Sequence, residues 1–166
     1  MIKKKICMLG AFAVGKTSLV QRFVNSIFSE KYQTTIGVKI DQKIVKINER
    51  EINLMLWDIH GEDNFQKVKP SYIMGAAGYF IVVDVTRGDT LEVGMSLQKM
   101  ADNMSNGAPY IVLFNKTDLD KEEWDISDSV INDLKNSGVN VILTSAKEGT
   151  GVEEAFTGLT QMMINN

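Results

Sequence analysis

The chain has 166 residues, of which 44% are hydrophobic and 23% charged, a length and balance that fit one globular domain and exclude a disordered or fibrous protein. Its 18 Lys and Arg residues against 21 Asp and Glu give a net charge of −3, so no basic field attracts nucleic acid or an anionic membrane. Because Cys7 is the only cysteine, an intramolecular disulfide is excluded, as is typical of a reducing compartment. We expect the protein to be a monomer in the cytoplasm.

The first residues imitate a secretory signal, because Lys3, Lys4 and Lys5 precede an apolar stretch. The run at 6–9 is shorter than the roughly 7 to 15 residues of a signal peptide's apolar region, and cleavage after it would cut the glycine-rich segment described below. No run approaches the roughly 18 apolar residues of a membrane helix. With neither a myristoylation start nor a prenylation cysteine, we expect no encoded lipid anchor.

Six strands are predicted from the hydrophobic pattern. Short continuous apolar runs, typical of parallel strands covered on both faces, lie at 6–9, 79–85, 110–114 and 139–143. The segments 38–47 and 51–58 lie on either side of the polar turn Asn48-Glu49-Arg50, and alternation in the second predicts a hairpin. The fold class is therefore α/β, with a mostly parallel six-stranded sheet that contains one antiparallel strand.

Helices are predicted between the strands, where hydrophobic residues recur at helical spacing. The four patterns lie near 19–24, 93–104, 130–134 and 152–163, and we expect about five helices in all. In an open sheet of this kind, ligands bind at the carboxyl ends of the parallel strands.

A glycine-rich segment, Gly10-Ala11-Phe12-Ala13-Val14-Gly15-Lys16-Thr17, follows the first strand and opens the first helix. This context is typical of a phosphate-binding loop, in which glycines permit a tight turn and backbone amides surround phosphate oxygens. Lys16 would contact the β and γ phosphates, and the Thr17 hydroxyl would ligate Mg²⁺. The candidate nucleotide-binding residues here are Gly10, Ala13, Val14, Gly15, Lys16, Thr17 and Ser18.

Two further motifs indicate which base is bound. Asn115-Lys116-Thr117-Asp118 follows the strand at 110–114, and Ser145-Ala146-Lys147 follows the strand at 139–143. An ionised Asp118 has only acceptors and can receive the ring N–H and the exocyclic amine of guanine. The Ala146 N–H can donate to the guanine carbonyl oxygen, while the stems of Lys116 and Lys147 cover the faces of the base. The bland alternative for the first motif is a polar surface turn.

In this order, the motifs from Gly10 to Lys147 resemble the Ras superfamily of small GTPases, and within it Rab-like members, including bacterial ones. The resemblance implies a P-loop NTPase fold, a single small G domain over residues 1–166. It implies a molecular switch that binds GTP or GDP with Mg²⁺ and hydrolyses GTP to GDP. It also implies effector proteins at the switch loops, an exchange factor and a GTPase-activating protein.

The same resemblance assigns two switch segments. Residues 32–37 correspond to the first, in which Tyr32 would contact the nucleotide and Thr35 would bind Mg²⁺ and meet the γ phosphate. Phe28 stands where an aromatic residue lies against guanine. Residues 57–61 correspond to the second, in which Asp58 would hold Mg²⁺ through water and the Gly61 amide would reach the γ phosphate.

Departures from the family pattern fall on the hydrolytic residues. Glu62 replaces the glutamine that usually orients the attacking water, and Phe12 replaces a small residue. We nonetheless assign catalysis to Glu62, Lys16 and Gly61 and expect slow, partner-assisted hydrolysis. His60 is either a catalytic base or a plain surface or partner-contacting residue. No arginine lies just before Thr35, where the resemblance would place an arginine finger in the same chain, so a finger would come from a partner.

Two other functions are possible on this sequence. One is a GTP-binding interaction module with negligible hydrolysis, in which Glu62 and Phe12 leave the reaction too slow to matter. The other is a P-loop kinase or ATPase, which Asp118 argues against because adenine lacks the matching pair of donors.

Overall fold

The computed structural model describes residues 1–31 and 34–165, in which six strands form one sheet in the order β2-β3-β1-β4-β5-β6. The strands are β1 Ile2–Gly10, β2 Val38–Ile47, β3 Arg50–Ile59, β4 Gly78–Asp84, β5 Tyr110–Asn115 and β6 Val141–Leu143. All neighbouring strands are parallel except β2, which pairs antiparallel with β3 from Val38 opposite Ile59 to Ile47 opposite Arg50. The predicted fold class is confirmed.

Helices cover both faces of this sheet, and they bury its apolar runs. The α-helices are α1 Lys16–Asn25, α2 Asp89–Met104, α3 Asp128–Asn136 and α4 Val152–Ile164. On one face, Phe23 of α1 stacks on Phe156 of α4 with ring centroids 4.0 Å apart. On the other face, Leu97 of α2 and Ile131 of α3 belong to a second buried cluster. Every residue of β4 is buried, as expected for a strand covered on both sides.

Two strands, β1 and β6, begin at residues other than the predicted ones. β1 begins at Ile2 because its first half pairs with β3, from Ile2 opposite Ile52 onward. The Lys5 ammonium lies 3.6 Å from the centre of the Trp57 ring, whose face shields the charge. The apolar pattern did not predict a strand here because charged residues interrupt it. At the other sheet edge, β6 begins at Val141, and the Val139 N–H instead bonds the Leu134 carbonyl at the end of α3 (3.4 Å).

The described residues form four α-helices and two short 3₁₀ segments, compared with the about five helices expected. The segment between β3 and β4 contains only the single turn Pro70–Tyr72. Its chain reverses soon afterwards at Gly75, whose φ of 77° lies in the left-handed region. No helix in the described part of the chain is long and apolar enough to span a bilayer.

The topology brings four loops to one edge of the sheet. β1, β4, β5 and β6 run parallel, so the segments that follow their carboxyl ends lie side by side. The loop after β1 leads into α1, and the antiparallel β2–β3 pair brings residues 34–37 and 60–62 beside it: the Gly37 carbonyl accepts the His60 N–H at 2.8 Å. This edge holds the candidate site.

Candidate functional site

The phosphate loop, residues 10–17, turns between β1 and α1 at Gly15. Gly15 has a φ of 103°, and a Cβ there would lie 2.4 Å from Nδ2 of Asn115, so a side chain fits neither the backbone nor the space. Lys16 is buried, with Nζ donating to the carbonyls of Ala11 (3.0 Å) and Gly10 (3.3 Å). Burial lowers the pKa of the Lys16 ammonium to about 8, and the nearby Asp58 carboxylate opposes this shift.

The three predicted cation ligands meet at the start of α1. Thr17 Oγ1 donates to Oδ2 of Asp58 at 2.6 Å and lies 2.6 Å from Oγ1 of Thr35. Since Thr17 has a single hydroxyl hydrogen, the Thr35 hydroxyl is the donor of the second bond. The three residues come from three separate segments of the chain, yet their oxygens form one cluster.

This cluster fits a hard divalent cation. Asp58 is 1% exposed, and its Oδ1 is buried with no hydrogen-bond partner among the described residues. Burial raises the pKa of the Asp58 carboxyl, while the bond from Thr17 and the charge of Lys16 lower it. A carboxylate oxygen left without a partner beside two hydroxyl oxygens is the donor chemistry that Mg²⁺ prefers.

The opposite end of the site contains the two predicted base-binding motifs. Asp118 accepts a hydrogen bond from the Ser145 hydroxyl at 2.8 Å, so the two motifs are joined directly. Asn115 contacts the phosphate loop instead, donating to the Val14 carbonyl at 3.0 Å. Its Oδ1 accepts from the Thr144 hydroxyl at 3.1 Å. Asn115 therefore fixes the spacing between the phosphate loop and the strands that carry the base-binding loops.

The two predicted lysines also form contacts that position them. Lys116 Nζ donates to the Ala13 carbonyl at 2.9 Å. Lys147 pairs with Glu30 at 3.2 Å, next to Phe28, which is half-buried and packs against the core. Because both ammonium groups are held by these contacts, the apolar stems of the two side chains lie along the site. Stems in this position can cover the faces of a planar base.

One cavity of about 310 Å³ connects these ends. Thirteen of the predicted site residues line it: Ala13, Gly15, Lys16, Thr17, Ser18, Phe28, Thr35, Gly61, Asn115, Lys116, Asp118, Ala146 and Lys147. Gly10, Val14, Asp58 and Ser145 support the lining residues through the bonds given above. Tyr32 lies outside the described residues.

The comparison with known proteins agrees with this geometry. The family model described as the Ras family matches residues 5–165. The chain belongs to the Ras family. Ras-related protein Rab-32C of Dictyostelium discoideum is 34% identical over 99% of this chain and 75% of its own length. Ras-related protein Rab-32 of Homo sapiens is 32% identical, and Ras-related protein RABA5b of Arabidopsis thaliana 34% identical, each over 98% of this chain and 75% of its own length.

Membership confirms the Rab-like resemblance and shows a GTP hydrolase, since the matched proteins are small GTPases. Ras-family GTPases bind guanine nucleotides and Mg²⁺ and work with effectors, exchange factors and activating proteins.

Two of the three residues assigned to hydrolysis line the cavity, whereas Glu62 does not. Its backbone N–H bonds the Gly10 carbonyl at 3.1 Å, and its carbonyl accepts from the Phe12 N–H at 3.0 Å. Its carboxylate accepts from the Val68 N–H at 3.2 Å. The catalytic assignment of Glu62 stays a prediction, and it requires the carboxylate to leave Val68.

The two residues that follow the end of β3, His60 and Gly61, are both buried against neighbouring segments. A Cβ at Gly61 would lie 2.4 Å from Cα of Phe12, so only glycine allows this approach of the two backbones. His60 is 4% exposed, and its ring meets the edge of Tyr72 at 6.3 Å between centroids. The surface alternative for His60 is therefore wrong, because this residue of the second switch segment is buried with its ring against Tyr72.

Sequence reasoning missed an anchor at the end of β4. Asp84 is 1% exposed, and its Oδ2 lies 2.9 Å from Lys116 Nζ and 3.9 Å from Arg87 Nη1. Arg87 donates to the Phe12 carbonyl at 2.9 Å, just as Lys116 donates to that of Ala13. The buried Asp84 carboxylate therefore pairs with two cations, and these donate hydrogen bonds to two consecutive carbonyls of the phosphate loop. The available signal was an acidic residue at the carboxyl end of a fully apolar strand.

Proposed function

We propose that this Ras-family GTPase is a Mg²⁺-dependent switch over residues 1–166 that alternates between GTP and GDP and hydrolyses GTP slowly. The observation that carries the proposal is the Thr17 hydroxyl, which bonds both Thr35 and Asp58. These three residues belong to the phosphate loop and the two switch segments. A ligand that joins all three couples the position of both switch segments to what occupies the site.

Each end of the cavity has a distinct binding role in this proposal. Lys16 and the phosphate-loop amides bind the phosphates, at the positive end of α1. Asp118 accepts from the guanine N–H groups, and Ala146 donates to the guanine carbonyl. Phe28 and the stems of Lys116 and Lys147 cover the base.

Thr17, Thr35 and Asp58 are the residues that would hold Mg²⁺. When bound, this ion neutralises charge on the phosphate oxygens. The GTP state adds contacts from Thr35 and the Gly61 amide to the γ phosphate. These contacts are lost in the GDP state, so both switch segments relax and the surface offered to effector proteins changes.

Hydrolysis proceeds by in-line attack of water on the γ phosphate. The Lys16 ammonium and the backbone amides, that of Gly61 included, stabilise the charge that develops on the transferred group. Glu62 would accept a hydrogen bond from the attacking water once its carboxylate leaves the Val68 N–H. An activating protein can promote this step by moving Glu62 and by supplying a cation.

The second candidate is a GTP-holding interaction module whose own hydrolysis is negligible. It is favoured by the bond between Glu62 and Val68, which keeps the carboxylate out of the cavity. Phe12 lines the cavity and is 37% exposed, so a bulky ring stands where access by water or a partner's cation is needed.

Single-turnover hydrolysis separates the two candidates. Purified protein is loaded with GTP, Mg²⁺ is added, and phosphate release is followed with and without the ion. We expect release on the order of 10⁻⁴ to 10⁻² per second, the range of unassisted small and heterotrimeric G proteins. Retention of intact GTP far beyond that time would support the interaction module, and equal binding of ATP would contradict both.

A further inference from the structure

Arg22 connects the first helix to the base-binding end of the site. It lies on α1, and its guanidinium reaches the loop that follows β6. Nε donates to the Ala146 carbonyl at 2.7 Å, and Nη2 donates to the Lys147 carbonyl. Because the guanidinium is a planar fork, two bonds from it fix the orientation of two consecutive peptide groups.

The preceding peptide group, between Ser145 and Ala146, is held by other residues of the same loop. The Ser145 carbonyl accepts from the Gly149 N–H at 2.7 Å. The Ser145 hydroxyl donates to Asp118 and accepts from the Glu148 N–H at 3.0 Å. Three successive carbonyls, those of residues 145 to 147, therefore all have donors, and the loop has little freedom to rotate its peptide planes.

This arrangement leaves the Ala146 N–H for a ligand. Ala146 lines the cavity and is 4% exposed, and within residues 1–31 and 34–165 no acceptor bonds its N–H. A buried N–H without a partner is costly unless a ligand supplies the acceptor. Its direction is set by its own peptide group, whose Ser145 carbonyl accepts from Gly149, and by the next two peptide groups, which Arg22 holds.

We propose that Arg22 is a positioning residue for base selection, which orients the Ala146 N–H toward the oxygen at position 6 of the purine. The inference rests on the proposed function, since it assumes a guanine base in this cavity. Adenine presents an amine at position 6, so a fixed N–H would face another donor. Selectivity at this position therefore depends on how rigidly the loop is held, which is the contribution of Arg22.

The test compares three diphosphates that differ at single positions of the base. 6-Thio-GDP replaces only the oxygen at position 6 with sulfur, a weaker acceptor. IDP keeps that oxygen and lacks the amine that Asp118 would accept from. Affinities are measured for the unmodified protein, for Arg22→Ala and Arg22→Lys, and for Arg50→Ala. Arg50 is a matched control because it is exposed at the first position of β3.

We expect Arg22→Ala to weaken GDP binding about tenfold, as for the loss of one well-placed hydrogen bond. The preference for GDP over 6-thio-GDP should fall at least about threefold, while the preference for GDP over IDP stays within about twofold. Arg22→Lys, which keeps the charge but not the fork, should give intermediate values. Arg50→Ala should change neither ratio.

A purely structural tie between α1 and the loop would weaken all three nucleotides equally, and both ratios would then be unchanged, which would overturn the inference. So would unchanged GDP affinity, or an unmodified protein that does not distinguish GDP from 6-thio-GDP. If thermal unfolding shows that Arg22→Ala is not folded, Arg22→Lys provides the same ratios. Failure of the proposed function is recognised separately, as equal binding of GDP and ADP by the unmodified protein.

Discussion

The two ends of the cavity are held together in different ways. At the base end, the side chains that would meet the ligand are bonded to other loops of the same site, as in the Ser145–Asp118 pair. At the hydrolytic end, the Glu62 carboxylate is bonded to the Val68 N–H, outside the cavity. In the proposed function, base recognition is therefore built in advance, whereas the hydrolytic arrangement would form only after Glu62 leaves Val68.

Mutation of Asp118 tests the preassembled end and should have the largest effect. In Asp118→Asn, guanine loses two hydrogen bonds to a charged acceptor, at about 1.5 to 3 kcal/mol each, so GTP affinity should fall at least about a hundredfold. Affinity for xanthine nucleotides should rise, because the amide offers a donor to the oxygen that xanthine has in place of the amine. Competition against labelled GDP measures both.

Asp120→Asn is the control, since Asp120 is an exposed residue two positions further along. Unaltered GTP affinity in Asp118→Asn would show that the base lies elsewhere in the cavity.

The cation cluster lies at the end of the cavity opposite the base-binding motifs, and Thr17 tests how it couples the two switch segments. Thr17→Ala removes the hydroxyl that bonds both Thr35 and Asp58. We expect about tenfold weaker GTP binding in the presence of Mg²⁺ and a smaller loss for GDP, because in the proposed function Thr35 would bind the ion only in the triphosphate state. Titrations with and without the ion separate its contribution.

Thr157→Ala, on an exposed position of α4, should leave both affinities as they are. Equal losses for GTP and GDP in Thr17→Ala would count against a switch that is coupled through the ion.

The hydrolytic end is tested by Glu62→Gln, where the smallest effect is expected. A carboxylate about 4 Å from the γ phosphate would meet a repulsion of roughly 4 kcal/mol per pair of unit charges at an effective dielectric near 20. An amide avoids this repulsion and still offers a carbonyl to the attacking water. The single-turnover rate should change at least about threefold: it rises if the repulsion dominates, and it falls if the carboxylate acts as the base for the attacking water.

The exposed Glu154 on α4 provides a control variant, Glu154→Gln, whose rate should match that of the unmodified protein. An unchanged rate in Glu62→Gln would mean that residue 62 stays bonded to Val68 in the GTP state and that a partner supplies the catalytic group.

Local patterns were sufficient to predict the sheet and most of the cavity lining. Gly15 and Lys16 were found because a phosphate loop requires fixed residue types at fixed spacing between a strand and a helix. Arg22 and Asp84 were not found, since each acts through residues more than 30 positions away. Neither residue belongs to a motif with fixed residue types at fixed spacing, and the order of strands in the sheet brings both to the site.

The orientation of the Glu62 side chain also could not be predicted from spacing in the sequence. Glu62 directly follows Gly61, which is predicted to meet the γ phosphate, but its side chain is bonded to an amide six residues further along the chain. Which way a side chain turns at a loop depends on competing hydrogen-bond partners, and spacing alone does not distinguish them.

Amide hydrogen exchange of the protein loaded with GDP or with a non-hydrolysable GTP analogue, both with Mg²⁺, tests the central contrast most directly. We predict that exchange at residues 34–37 and 62–68 differs between the two states, with the Val68 amide less protected when Glu62 leaves it. Exchange at residues 115–118 and 145–149 should be the same in both states. A change at the base-binding loops as large as at the switch segments, or no change at residues 62–68, would contradict the account.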